Sequence, residues 1–143
     1  MMLLMVATMT AFSQVNYKPY VGVGTNLTTG VFSYGGEVGI YNDKAWFSLG
    51  ASTYKTNEWN WTGSAKAYYK VASQGIVDEF AYAAVNISID PNRTFSFEPG
   101  VAVVFNLSKN IAPQFTLSTA LVEGNQVFKQ FTPSVGVGLN VFF

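Results

Sequence analysis

The residues that could do chemistry are few. The chain has no histidine and no cysteine, which removes the commonest general base, the thiol nucleophile, thiolate metal sites and disulfides. Asp78 and Glu79 are adjacent, but neighbours on a strand point to opposite sides, so they do not form an acid–base pair; a solvated rim is the expected place for both. Asp43, Asp78, Glu79 and Asp90 do not assemble a metal site by spacing. The strings Gly22-x-Gly24 and Gly136-x-Gly138 lack the third glycine and the following helix of a phosphate-binding loop. No catalytic residue, metal site or cofactor is assigned.

What remains is a charge set. Within stretches that alternate apolar and polar residues, Glu37, Lys66, Lys70 and Glu98 all carry the polar parity. If the stretches are strands of one barrel, these side chains point into its interior, with Lys66 between the two glutamates. Lys18, nearer one end, is expected to join them in a network that fills the lumen.

The elements that would position these residues follow from the periodicity. The clearest is Pro133 to Phe143, P-S-V-G-V-G-L-N-V-F-F. Val135, Val137, Leu139, Val141 and Phe143 share one face, and the other is small or polar until Phe142. Seven more alternating stretches precede it, near 17–26, 31–41, 45–54, 63–72, 77–88, 94–106 and 111–122, separated by turn residues such as Asn42-Asp43-Lys44, Ser73-Gln74-Gly75, Asp90-Pro91-Asn92 and Glu123-Gly124-Asn125. Strands of about ten residues suit a tilted crossing of the hydrocarbon core, and no run approaches the ~18 apolar residues of a membrane helix. Pro19 and Pro113 fall near strand starts, whereas Pro99 lies inside one, where a missing N–H predicts a bulge.

Composition agrees. The chain of 143 residues is 49% hydrophobic and 11% charged, against about 25% charged in an average soluble domain. Its zero net charge leaves no electrostatic footprint for nucleic acid. Outward positions are Val, Phe and Leu, and inward ones are Ser, Thr, Gly, Lys, Glu and Gln. That is the polarity of a membrane barrel, inverted from a soluble one.

Residues 1–13, M-M-L-L-M-V-A-T-M-T-A-F-S, read as a signal peptide with small residues at Ala11 and Ser13 and a mature start at Gln14; the other reading is an N-terminal strand or buried segment. The positive n-region is missing. Residues 14–143 are expected to form the barrel. The longest predicted loop, 55–62, carries Trp59 and Trp61. They belong either to an aromatic girdle with Tyr54, Phe95, Phe128 and Phe131 or to a recognition tip. Tyr17, Tyr41, Trp46, Phe105 and Phe143 are assigned to a second girdle.

The terminal V-G-V-G-L-N-V-F-F, the strand count and the signal-like start together resemble the small eight-stranded bacterial outer-membrane β-barrels of the OmpA/OmpX membrane-domain type. The resemblance implies an all-β, closed, antiparallel up-and-down transmembrane barrel in a Gram-negative outer membrane, with both termini periplasmic. It implies an assembly signal at Val135, Val137, Leu139, Val141 and Phe143 that the barrel-insertion machinery reads. It also implies contact with outer-membrane lipid and a protein partner of unspecified identity. The function expected is non-enzymatic, structural or partner-binding. The alternatives are a narrow pore or apolar-solute conduit, and a secreted soluble barrel holding a hydrophobic ligand. Compared with the family, the outer loops are short and the peptidoglycan-binding domain of the OmpA type does not follow.

Overall fold

A computed structural model describes residues 16–88, 94–123 and 126–143, with side chains 122–131 outside the description. The proposed signal peptide, the Asp90-Pro91-Asn92 turn, Gly124-Asn125, Phe128 and Phe131 therefore lie outside the described residues.

Eight strands follow one another: β1 Lys18–Thr28, β2 Val31–Tyr41, β3 Ala45–Lys55, β4 Trp59–Gln74, β5 Val77–Ser88, β6 Phe95–Phe105, β7 Ile111–Glu123 and β8 Gln126–Phe142. Each pairs antiparallel with its sequence neighbour, and β1 closes on β8 from Tyr20↔Phe142 to Thr28↔Ser134. Closure leaves no strand edge unpaired, the condition for a sheet to sit in hydrocarbon. Strands of 11 residues at ~3.3 Å per residue and a ~40° tilt give a wall of roughly 28 Å, matching an apolar band of ~25 Å.

Local sequence explains the reversals. Thr29 and Gly30 both have positive φ, 46° and 82°, and join Thr28 to Val31 as a two-residue hairpin of the I′ kind. Gly75, with φ 63°, opens the two-residue turn from Gln74 to Val77. Asn42 caps the next reversal, its Oδ1 accepting from the N–H groups of Lys44 at 2.8 Å and Ala45 at 2.7 Å.

At the β3–β4 reversal the boundary differs from the sequence reading. β4 begins at Trp59 and pairs Lys55↔Trp59 and Thr53↔Trp61, so the predicted loop 55–62 shrinks to Thr56–Glu58. Turn composition outvoted the alternation that Trp59, Trp61 and Gly63 already share with Ala65. At Pro99 the expected irregularity is present. Pairing with β5 runs unbroken through Ala83↔Pro99, while the β7 register jumps from Phe97↔Val122 to Gly100↔Ser118.

Alternation divides the surfaces. Val23, Val38, Leu49, Tyr69, Val101, Leu117 and Val137 are exposed on the outside. Tyr20, Trp46, Tyr68, Phe80, Val104 and Phe142 are buried inside. Cross-strand glycines make room for the rings. Tyr20 pairs with Gly39, where an added Cβ would stand 2.6 Å from Tyr20 Cε1. Tyr82 likewise covers Gly100. On the outside, a Cβ at Gly36 would meet nothing nearer than 3.4 Å. Gly39→Ala should therefore displace the Tyr20 ring and cost about 1–3 kcal/mol by overpacking. Gly36→Ala, on the same strand, should be neutral or slightly stabilising because strand glycine carries an entropic penalty. Urea midpoints of the refolded barrel in detergent test the contrast, and equal losses would refute it.

Candidate functional site: the barrel lumen

Inward side chains separate into four levels along the axis. Toward the terminal end is the aromatic level. Trp46 packs on Phe80 at 4.5 Å between ring centroids, on Phe142 at 5.3 Å and on Tyr20 at 5.6 Å. Tyr41 lies 4.5 Å from Phe142. Tyr68 bridges to Tyr82 at 5.1 Å. Trp46 and Tyr41 thus do not belong to an interfacial girdle; they turn inward and join the lumen cluster. Their parity, shared with Ser48 and Glu37 respectively, was the signal that aromatic composition masked. Phe105 and Phe143 do face outward, and Tyr17 lies 6.2 Å from the outward Phe47.

Below this level, Lys70 Nζ sits 2.8 Å from Asp78 Oδ2, Asn106 Nδ2 donates to the same oxygen at 2.9 Å, and the ammonium stands over the Phe80 ring. Asp78 is therefore a buried ion-pair partner and not a solvated rim residue; Glu79, its neighbour, is exposed. Sequence reasoning missed it because a strand's first turn-proximal carboxylate looks solvated unless its partner across the bulge between Lys70 and Ala72 is known.

Above the rings lies the charged level. Lys66 Nζ donates to Glu37 Oε2 at 2.8 Å, and Tyr20 O–H donates to Glu37 Oε1 at 3.0 Å. Glu37 thus ties the aromatic cluster to the lysine. Lys66 crosses from β4 to β2 over Gly50, which has no side chain to block it. Asn140 donates to Gln114 at 2.6 Å. Glu98 accepts from Asn86 Nδ2 at 2.6 Å. Of the expected charge set, the lumen holds Glu37, Lys66 and Glu98 at one level; Lys70 forms its separate pair with Asp78, and Lys18 is exposed at the strand end.

The fourth level is a cavity of about 390 Å³, lined largely by hydroxyls, amides and glycines, among them Thr25, Asn26, Ser33, Ser64, Asn86 and Thr116. Glu37, Lys66 and Glu98 form its charged part. It reaches Thr28 and Thr29, toward the end opposite the termini. Trp59 and Trp61 are exposed on β4, sharing the outward parity of Ala65 and Ala67, with Lys55 Nζ 5.8 Å from the Trp59 ring. They belong to the outer wall of the barrel, beside outward Phe32, Tyr34 and Phe95. Among the described residues no group of three acidic ligands is placed to hold a metal ion.

The Lys66–Glu37 pair is partly screened, with 27% and 10% of the side chains exposed. Lys66→Met should strand a carboxylate that keeps only the tyrosine hydroxyl, lowering stability by about 2 kcal/mol, whereas Lys66→Met with Glu37→Leu should recover part of it. Unchanged urea midpoints in the single variant would remove the pair from the stability account.

No family model and no curated protein matches the sequence. Solved structures do match. The N-terminal β-barrel domain of Pseudomonas aeruginosa OprF superposes with a TM-score of 0.72 at 14% identity, over 90% of this chain and 98% of that one. Neisserial surface protein A gives a TM-score of 0.58 at 15% identity, over 89% and 96%. A de novo designed transmembrane β-barrel gives 0.62 at 12% identity, over 88% and 95%. Such identities carry the fold and nothing finer. The chain is an all-β, closed, antiparallel eight-stranded β-barrel with the fold of these small barrels.

Proposed function

We propose that the protein is an integral outer-membrane barrel with a structural or partner-binding role, no enzymatic activity and no continuous pore. The observation that supports this best is the inversion of polarity: Val23, Val38, Leu49 and Val137 stand exposed outside, while ion pairs and amides lie inside. A soluble barrel with a hydrophobic ligand needs the reverse. The missing histidine and cysteine support a non-enzymatic role. The packed rings at the terminal end support an occluded lumen. In this reading residues 1–13 are removed on export, both termini face the periplasm, and partners meet the outer wall or the rims. The alternating face Val135, Val137, Leu139, Val141 and Phe143 serves as the assembly signal, with Phe143 exposed where the insertion machinery can reach it.

Fractionation of expressing cells should place the protein in the outer membrane, resistant to carbonate extraction and with heat-modifiable gel mobility. Planar-bilayer recording of the purified barrel should show no stable open level, and Trp46→Ala, which removes the central ring, should introduce one. Recovery in the soluble fraction would overturn the membrane assignment, and steady conductance in the wild type would overturn occlusion in favour of a narrow pore.

A further inference from the structure

Two register jumps meet at one place in the wall. β7 residues 119–121 fall in the register jump opposite β6, and a second jump, between Ala120 and Val122, interrupts their pairing with β8. Two prolines flank the spot: Pro99 on β6, and Pro133, which pairs with Thr119 on β8. Pro99, whose nitrogen faces β7, has no N–H to give to that ladder. Thr119 Oγ1 is buried there with no hydrogen-bond partner. A groove of about 230 Å³ opens at this point, lined by Pro99, Gly100, Val101, Leu117, Ser118 and Thr119. Residues of both parities line it: Val101 and Leu117 face outward and are exposed, whereas Gly100 lies under the Tyr82 ring inside. The two hollows therefore share Ser118 as a lining residue, with the Tyr82 ring beside it on the inner side.

We propose that the β6–β7 seam is a lateral portal, through which a single-chain amphipath in the surrounding bilayer places a cationic, hydrogen-bond-donating head in the cavity while its alkyl chain stays in the groove. The proposal rests on the membrane assignment above. The groove is continuous with the apolar outer wall at Val101 and Leu117, which selects an alkyl chain as its occupant. The cavity beyond it carries Glu37, Lys66 and Glu98, two carboxylates against one ammonium, so it favours a cationic head over a carboxylate. Ser118 would pass the head inward, and the Asn86–Glu98 pair and Ser96 stand next to receive it.

The absence of native cysteine permits single nitroxide labels on the full chain in phosphatidylcholine vesicles. Labels at Val101→Cys, Thr116→Cys and Ser118→Cys are compared by collision with oxygen, which partitions into lipid, and with a water-soluble nickel chelate. Val101 should collide with oxygen, and its failure to do so would overturn the membrane assignment itself. With Val101 lipid-exposed, the portal requires Ser118 to resemble Val101 and Thr116, inward on the same strand beside an intact ladder, to resemble neither. A Ser118 label that behaves like Thr116 overturns the portal alone. Hydrogen exchange gives a second reading: Pro99→Ala should slow the amides of 119–121 about fivefold, the factor carried by one net hydrogen bond, and unchanged exchange counts against the seam. For the head group, dodecylammonium in the vesicles should raise the unfolding midpoint of the unlabelled wild type and lose that effect in Glu98→Gln. Equal stabilisation by dodecanoate would overturn the cationic specificity.

Discussion

The constraint on which everything else depends is circumference. Eight strands enclose a space just wide enough for side chains, so a large inward ring needs room made for it by its neighbours. Tyr20 lies against Gly39 and Tyr82 against Gly100. Where rings crowd, near the termini, they pack against one another. Where Gly22, Gly35 and Ser64 face inward instead, a cavity is left. The axial order of rings, charges and hydroxyls is thus a distribution of volume before it is one of polarity.

That order also explains why charges are tolerated inside the barrel. Lys66 and Glu37 sit between an apolar floor and a polar cavity, partly exposed, and Glu37 takes a second hydrogen bond from Tyr20. Lys70 and Asp78 sit on the other side of the rings, with Asn106 as the extra donor. Each carboxylate has both a cation and a neutral donor, which offsets desolvation more fully than a bare pair would. The aromatic layer keeps the two pairs in separate compartments.

Much of this was legible. Period-two alternation placed all eight strands, their inward and outward faces and the irregularity at Pro99, because register in a half-lipid, half-polar wall flips every side chain if it slips by one. Parity alone also brought Glu37, Lys66 and Glu98 to one interior. It failed where composition was allowed to overrule it. Trp46 and Tyr41 were assigned to an interface because aromatics favour interfaces, although their parity pointed inward. The stretch around Trp59 looked like a loop for its polar residues. The Lys70–Asp78 pair depends on a register shift that no local pattern announces. That a designed barrel superposes at 12% identity fits this account: alternation and turn chemistry suffice for the wall, while the lumen contents are particular to each chain.

The rings resting on glycines have a consequence for how the wall is assembled. Sliding β1 against β2 by two residues preserves the apolar and polar faces, so lipid and water do not object to it. It would, however, set the Tyr20 ring over Glu37 or Tyr41 instead of Gly39. Two such ring-and-glycine pairs, on the β1–β2 and β5–β6 ladders, act as a key cut into the strand pairing. They reject the mismatched alignments that alternation by itself would accept, and a nascent barrel would be proofread by shape before its seam is closed.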